Sequence, residues 1–386
     1  MSVDQETFDQ FLQSIDRFVR ERMQPREQEV EENDQIPDDL IGEMKEMGLF
    51  GLTIPEEYGG LGLGMTQEIE VCFSLGRTSP AFRSTFGTNI GIGSQGIVLD
   101  GTDEQKQKYL PGLARGDIIG SFCLTEPDHG SDAGSLKTRA DADGNGYVLN
   151  GTKRYITNAA RAGLFTVMAR TNQEEKGARG VSAFLVDADT SGIRLGKSEK
   201  KMGQKGAHVC DVIFEDCKVP GDALLGGVEG MGFKSAMKVL DRGRLSIAAV
   251  CVGVAERLIG ESLRYAMERK QFGQPIAEFQ LVQAMLADSE TECAAAKTLV
   301  CDSARRREAG EAVSKRAAMC KYYASEMVGR VADRAVQIHG GAGYISDYPV
   351  EHFYRDVRLF RLYEGTSQIQ QLIIAREMLK EAALEG

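Results

Sequence analysis

Apolar and polar residues follow two different periods along the chain. Up to about residue 115 the apolar residues recur every three or four positions, as in the stripe Phe8, Phe11, Ile15 and Phe18. This spacing places apolar side chains on one face of a helix. The pattern predicts an N-terminal α-helical domain over residues 1–115.

The period changes between residues 116 and 230. Short runs rich in β-branched and aromatic residues, such as YVLNGTKRYIT, LFTVMART and GVSAFLVDA, are separated by Gly, Asn and Asp. Such runs are typical of strands, and the segment DADGNGYVLNG predicts a hairpin because Gly and Asn accept the positive φ angles of a tight turn. We therefore predict a middle domain made of antiparallel β-strands.

Helical spacing returns at residue 231 and continues almost to the end of the chain. The pattern predicts a bundle of long helices over residues 231–386. Because strands and helices occupy separate parts of the sequence, the fold class is α+β, and a doubly wound parallel sheet is excluded.

Composition narrows the classes of function. A chain of 386 residues is longer than a domain with a single compact core usually is, so we expect more than one domain. Its net charge of −11 argues against nonspecific binding to nucleic acid or to an anionic membrane. No run offers the roughly 18 apolar residues of a membrane span. The acidic, amphipathic start MSVDQETFDQFLQSIDRF differs from a secretory or organellar leader, so we expect a cytoplasmic protein.

The sequence argues against two common kinds of site, a dinucleotide-binding motif and a metal centre. The segment Gly91-Ile-Gly-Ser-Gln-Gly96 matches GxGxxG but follows a helical pattern, whereas the dinucleotide motif follows a strand. The four histidines and eight cysteines show no metal-ligand spacing, so we predict no metal site and interpret the cysteines as reduced core thiols.

Several segments resemble one enzyme family in sequence and in order. They are CLTEPDHGSD at 123–132, KRYITNAA at 153–160, MGQKG at 202–206, DRGRLSIA at 241–248, RKQFGQPI at 269–276, QIHGGAGY at 337–344 and LYEGTSQIQ at 362–370. Together they resemble the acyl-CoA dehydrogenases. The resemblance implies FAD as cofactor, an acyl-CoA substrate and a C-terminal four-helix bundle.

The resemblance assigns Glu364 as the catalytic base. Desaturating an acyl thioester requires a carboxylate that removes the α proton while the flavin N5 takes the β hydride. Some family members carry the base at the position of Gly243, where glycine cannot serve. The alternative for Glu364 is a solvated charge at a helix end.

Further residues resemble the family's cofactor contacts. The isoalloxazine contacts are expected from two strand segments, and the pyrophosphate contacts from a loop of small residues: Phe122, Leu124, Thr125, Tyr155, Ile156, Thr157, Gly130 and Ser131. The chain has no Trp, and Tyr155 stands where many members have one. The alternative for Tyr155 is an aromatic residue that fills the core.

The adenine half of FAD is expected to lie across a subunit interface. The residues that resemble its family contacts are Arg269, Phe272, Gln280, Gln337, Gly340 and Gly341. Thr366 and Gln368 resemble further family contacts to the cofactor. Thr366 also fits the alternative role of capping the last helix.

Substrate contacts are expected from a third set, which consists of Arg83, Ser84, Ser131, Asp241, Arg244 and Gly365. An ordinary i,i+3 ion pair is the alternative for Asp241 and Arg244. The segment AFRSTFG at 81–87 resembles glutaryl-CoA dehydrogenases, in which the matching arginine meets the distal carboxylate of the acyl group. A short dicarboxylyl-CoA is therefore a candidate substrate, unless Arg83 pairs with an acidic neighbour. An ordinary short- or branched-chain acyl-CoA is the default.

The resemblance also implies partners and rivals. The partners are an electron-transferring flavoprotein, which reoxidises the flavin, and three further copies of the chain in a homotetramer. The rival functions on the same fold are a flavin oxidase or monooxygenase, a desulfinase and a catalytically silent scaffold.

Overall fold

The computed structural model describes residues 4–385, beginning with a domain of short helices. These are α1 (Gln5–Phe18), α2 (Glu27–Asn33), α3 (Asp38–Glu46), α4 (Met65–Gly76), α5 (Pro80–Ile90), α6 (Gln95–Asp100) and α7 (Asp103–Arg115). Helix α1 starts where the Asp4 side chain accepts a hydrogen bond from the Thr7 N–H, an N-cap that satisfies a free donor. The GxGxxG match begins directly after α5, so its helical context is confirmed.

A seven-stranded sheet follows. Its strands are β1 (Gly120–Cys123), β2 (Arg139–Asp143), β3 (Gly146–Thr157), β4 (Leu164–Arg170), β5 (Val181–Asp187), β6 (Ile193–Leu195) and β7 (Val209–Pro220). The order is β1-β4-β2-β3-β7-β6, with β5 paired to β4. The predicted hairpin is confirmed, because β2 and β3 pair from Arg139↔Asn150 to Asp143↔Gly146.

The sheet is mixed rather than purely antiparallel. Strand β1 pairs with β4 in parallel from Gly120↔Leu164 to Cys123↔Val167, and β2 touches β4 in parallel at Arg139↔Arg170. A parallel pair needs a long crossover, and the chain between β1 and β4, which includes the β2–β3 hairpin, supplies one. The expectation of antiparallel strands alone is therefore wrong at these two pairs.

The C-terminal domain contains the predicted long helices. They are α8 (Gly232–Glu268), α9 (Gln280–Glu308), α10 (Ser314–His339), α11 (Val350–Val357) and α12 (Ser367–Glu385), with a small hairpin of β8 (Lys270–Gln271) and β9 (Gln274–Pro275). Helices α8, α9 and α10 pack on one another, and α12 packs against α10. The three-domain order is confirmed, while the exact boundaries at 115/116 and 230/231 stay predictions.

The two helical domains share a core. Met65, Ile69 and Phe73 of α4 are buried in the same cluster as the apolar residues of α8, α9 and α10. A methyl group on Gly253 would lie 2.2 Å from the Phe73 carbonyl oxygen, so this glycine lets α4 and α8 approach closely. The contact fixes α4 against α8.

Two further expectations concern reduced core cysteines and a membrane-spanning segment. Among the described residues all eight cysteines are free, and seven are buried while Cys301 is partly exposed. Within residues 4–385, no helix combines the length and apolarity that crossing a bilayer requires.

Candidate active site

A cavity of about 630 Å³ lies where the three domains meet. Its volume falls in the range of small-molecule sites. Fourteen of the residues expected from the sequence line it: Arg83, Ser84, Phe122, Leu124, Thr125, Gly130, Ser131, Tyr155, Ile156, Thr157, Asp241, Arg244, Glu364 and Gly365. The structure thus brings the expected base, isoalloxazine and substrate residues together.

The ends of β1 and β3 form one wall of the cavity. The Arg154 N–H donates to the Thr125 carbonyl oxygen at 2.8 Å, which ties the two segments together. An irregularity in the β3–β7 pairing between Lys153 and Ile156 turns Tyr155 out of the sheet with a φ of +58°. Tyr155 is 59% exposed, so the alternative that it fills the core is wrong.

A buried ion pair lies behind this wall. Lys153 Nζ is 2.8 Å from a carboxylate oxygen of Glu126 and also donates to the Leu124 carbonyl oxygen at 3.1 Å. Burial alone raises the pKa of Glu126, but the charge of Lys153 and hydrogen bonds lower it to about 2. The pair joins the strand segments that carry Thr125 and Tyr155.

A short loop before α12 carries Glu364, which lines the same cavity. Glu364 has a φ of +53° and Gly365 a φ of +90°, so two consecutive residues occupy left-handed backbone. Oε2 of Glu364 is buried and, within the described chain, has no hydrogen-bond partner. The alternative of a solvated helix-end charge does not describe this carboxylate.

Burial is the main influence on the protonation of Glu364. It raises the pKa of the carboxyl, because desolvation disfavours the charged form. Three cations oppose this effect and one anion adds to it: Arg83, Arg244, Lys321 and Glu68. The net direction is upward from the ordinary value, and a raised pKa brings a carboxylate closer to what a general base needs.

Gly243 lies directly beside the carboxylate. A methyl group built on Gly243 would be 2.5 Å from Glu364 Oε2. Glycine at this position therefore leaves room for the Glu364 side chain, and it contributes no competing carboxylate.

The substrate-side residues differ in their pairing. Arg244 is buried and donates to Asp241 at 2.6 Å, so the alternative of an i,i+3 ion pair is observed while both residues also line the cavity. Arg83 is half-buried, and its Nε is buried without a partner among the described residues. Within residues 4–385 no carboxylate lies at ion-pair distance from Arg83.

The residues expected at the adenine half, and the two further expected cofactor contacts Thr366 and Gln368, lie elsewhere. Outside the cavity are Arg269, Phe272, Gln280, Gln337, Gly340, Gly341, Thr366 and Gln368. All of these except Thr366 are exposed in the single chain, and Phe272 is 95% exposed. Thr366 Oγ1 accepts from the Ile369 N–H at 3.3 Å, so its capping role is present. The cofactor roles of this group stay predictions.

Several residues at the site are absent from the sequence-based set. Two of them hold the base loop, since Lys321 Nζ donates to the Gly365 carbonyl oxygen at 2.5 Å and Gln370 Nε2 donates to the Glu364 carbonyl oxygen at 3.1 Å. Two others, Glu68 and Arg242, form a buried ion pair of 2.7 Å in the cavity lining. A charged residue on the apolar stripe of a helix was the available signal for Lys321 and Glu68.

One acid–histidine group lies away from this cavity. Glu31, His352 and Asp356 hold potential ligand atoms within 4.8 Å of one another. Arg355 lies 2.8 Å from Glu31, and His352 Nδ1 lies 3.4 Å from Asp356. We interpret the group as an ion-pair network joining α2 to α11.

Three family models cover nearly the whole chain. The N-terminal, middle and C-terminal domains of acyl-CoA dehydrogenase match residues 5–117, 121–217 and 230–379. The chain belongs to the acyl-CoA dehydrogenase family. Its members are FAD-dependent oxidoreductases that act on CH–CH bonds.

Individual family members are similar over almost their full length. Acryloyl-CoA reductase (NADH) of Anaerotignum propionicum is 43% identical over 94% of this chain and 92% of its own. A caffeyl-CoA reductase-Etf complex subunit of Acetobacterium woodii is 43% identical over 92% and 93%. The structure of butyryl-CoA dehydrogenase from Megasphaera elsdenii matches with a TM-score of 0.93 at 33% identity, covering 98% and 99%.

The cavity of this acyl-CoA dehydrogenase family member fits a flavin. Tyr155 offers an exposed aromatic face beside Ile156 and Thr157. Methyl groups on Gly130 and Gly134 would meet nothing closer than 3.8 Å, so the backbone there faces open space. Such small residues let backbone N–H groups approach a pyrophosphate.

Proposed function

We propose that the protein catalyses α,β-oxidation of an acyl-CoA thioester, with Glu364 as the base that removes the α proton. The observation that carries the proposal is the buried, unpartnered Oε2 of Glu364, a residue that lines the same cavity as the β1–β3 wall. FAD, when bound, supplies the acceptor for the β hydride. The family membership supports this chemistry.

The loop geometry provides what the thioester needs. The proton passes from the α carbon to the Glu364 carboxylate, and negative charge develops on the thioester oxygen. Within residues 4–385 the Glu364 N–H donates to no backbone or side-chain acceptor. We propose that this N–H stabilises the developing charge, because a pre-oriented donor contributes most where charge appears.

Reduction of an enoyl-CoA is the second candidate. The 43% identity to an acryloyl-CoA reductase favours it. Proton transfer at a carboxyl is reversible, and burial raises the pKa of Glu364, so the protonated form can return a proton to the α carbon. The same residue would serve either direction.

Arg83 supports a polar end on the acyl group. A half-buried guanidinium with an unpartnered Nε in the cavity costs free energy unless an anion meets it. A short acyl chain with a terminal carboxylate would pair with it through a two-pronged hydrogen bond. We therefore propose a short dicarboxylyl-CoA as one substrate, beside unsubstituted short acyl-CoAs.

Exposed residues support the proposed partners. We propose a homotetramer in which Arg269, Phe272, Gln337 and Gly341 reach the FAD of a neighbouring subunit, because these residues are exposed and outside the chain's own cavity. An electron-transferring flavoprotein is the proposed redox partner, since one relative is named as a subunit of a reductase-Etf complex. We propose a cytoplasmic location.

Anaerobic titration of the holoenzyme tests the reaction. Butyryl-CoA and glutaryl-CoA are added while flavin bleaching is followed, and crotonyl-CoA and acryloyl-CoA are added to dithionite-reduced enzyme while reoxidation is followed. Bleaching supports oxidation, reoxidation alone supports reduction, and neither response contradicts both proposals. Loss of glutaryl-CoA preference in Arg83→Met supports the dicarboxylyl assignment, and unchanged preference contradicts it.

The role of Glu364 is tested in the same assay. We expect Glu364→Gln to slow bleaching by about a hundred- to ten-thousandfold, the usual contribution of a general base. Glu381→Gln, on the exposed part of α12, is the matched control and is expected to leave the rate unchanged. Equal rates in the two variants would remove Glu364 from the reaction.

A further inference from the structure

The loop at 363–366 holds its conformation against backbone strain. Glu364 is not glycine, yet its φ is +53°, a region that ordinary residues seldom occupy. Gly365 cannot take a side chain without close contact, because a methyl group there would lie 2.5 Å from Gln370 Nε2. Contacts from the surrounding helices must therefore fix this loop.

Helix α10 supplies a central contact. Lys321 is completely buried, and its Nζ donates to the Gly365 carbonyl oxygen at 2.5 Å. Within the described ranges no carboxylate lies at ion-pair distance from Lys321, so its charge is uncompensated by a direct partner. Gln370 donates to the same carbonyl oxygen at 3.0 Å.

Helix α10 also holds the loop on both sides of Gly365. One turn after Lys321, Glu326 accepts from Ser367 Oγ at 2.6 Å and lies 3.4 Å from the Arg361 guanidinium. Gly329 faces the same guanidinium so closely that a side chain there would displace it. Contacts with α10 therefore fix the chain before, within and after the loop that carries Glu364, at Arg361, Gly365 and Ser367.

The charge of Lys321 acts on the base. It opposes the rise in the Glu364 pKa that burial causes, together with Arg83 of α5 and Arg244 of α8 and against Glu68 of α4. Burial lowers the pKa of Lys321 itself to about 8. The other groups that act on Lys321 are Cys251, Glu364, Arg244 and Glu326.

We propose that Lys321 is a positioning residue for Glu364, which fixes the carboxylate in the cavity through the Gly365 carbonyl oxygen and stabilises its ionised form. The inference rests on the proposed role of Glu364 as base. A lysine that merely filled space between α10 and α12 would need neither the contact to the loop nor the charge. Replacing Lys321 with an uncharged residue therefore distinguishes a positioning role from a space-filling role.

Turnover of the holoenzyme provides the first readout. Lys321→Met keeps most of the side-chain volume and removes both donor and charge. We expect kcat to fall by roughly ten- to a hundredfold with KM changed less than about twofold, because the base is misplaced while substrate binding persists. Lys315→Met, on the same helix and paired with Glu381, is the matched control and is expected to match wild type.

Titration of the Glu364 carboxyl provides a readout that needs no turnover. Infrared difference spectra across pH, with the band assigned by Glu364→Gln, are expected to show a higher Glu364 pKa in Lys321→Met than in wild type. Lys321→Gln keeps a neutral donor and is expected to show the same upward shift, so it serves if the methionine variant does not fold. Lys315→Met is expected to show none.

The two readouts keep the inference separate from the proposed function. If wild type turns over no acyl-CoA, the proposed function fails while the carboxyl titration still measures the effect of Lys321. If wild type is active but Lys321→Met and Lys315→Met agree in kcat and in the Glu364 titration, Lys321 does not position the base. A raised KM with unchanged kcat in Lys321→Met would also overturn the inference.

Discussion

Two completely buried lysines support two parts of the lining of one cavity in different ways. Lys153, behind the β1–β3 wall, is 2.8 Å from the Glu126 carboxylate. Lys321, behind the base loop, donates to a carbonyl oxygen at 2.5 Å and, among the described residues, has no carboxylate at ion-pair distance. The β1–β3 wall is therefore supported by an ion pair whose two charges cancel, which we call the neutral pair, and the base loop is supported by a single positive charge.

The difference indicates what each wall has to do. A neutral pair leaves little net field outside it, which suits a wall that must hold its shape. An unpaired buried cation destabilises the fold, and such groups are concentrated where chemistry needs a field. The base loop therefore gives up stability to influence Glu364, whereas the strand wall does not.

The largest effect that separates the walls is expected from Lys153→Met. This change leaves Glu126 buried without its counter-charge, and removal of one member of a buried pair costs about 3–5 kcal/mol. We expect a loss of this size in the free energy of unfolding, measured by urea denaturation. Lys218→Met is the control, because its ion pair with Asp143 is on the surface and contributes at most about 1 kcal/mol.

Lys321→Met in the same urea assay sharpens the contrast. The Gly365 carbonyl oxygen keeps its hydrogen bond from Gln370, and the cost of burying the charge disappears. We expect a loss below about 1.5 kcal/mol, the usual net contribution of one hydrogen bond. Equal losses from Lys153→Met and Lys321→Met would show that the two lysines play the same structural part.

Acid titration of stability is the next test of the neutral pair. The folded pKa of Glu126 is about 2, below its ordinary value of 4.5, so its contribution is present above pH 4.5 and is lost as pH falls toward 2. This lowering of the Glu126 pKa corresponds to about 3 kcal/mol in the free energy of unfolding. We expect the difference in unfolding free energy between wild type and Glu126→Gln to shrink over this window, and a constant difference would contradict the pairing.

Sequence patterns reached the local features of both walls. Periodicity predicted the helices, the turn residues predicted the β2–β3 hairpin, and the matched motifs supplied Thr125, Tyr155 and Glu364 as cavity residues. The parallel pairing of β1 with β4 was missed, because the choice of strand partner depends on tertiary packing rather than on the alternation within a strand.

The contacts that support the base could not be predicted from the sequence, for a similar reason. Lys321 and Gly365 are 44 residues apart in the chain, and only the packing of α10 against the loop brings them together. A lysine among Ala317, Ala318 and Ala324 on a buried stripe signals an unusual environment but does not identify the partner. The exposed residues Arg269 and Phe272 stay predictions, because their expected role needs a second chain.

Alkaline titration of stability tests the unpaired charge of Lys321. The folded pKa of Lys321 is about 8, below its ordinary value of 10.5, so between these values the unfolded chain binds more protons and stability rises with pH. From pH 8 to about 9.5 the rise is expected to be about 2 kcal/mol. It is measured as the difference in unfolding free energy between wild type and Lys321→Met, with Lys315→Met expected to keep the rise. A flat difference would mean that Lys321 titrates as an ordinary lysine, and the contrast between the two walls would then be lost.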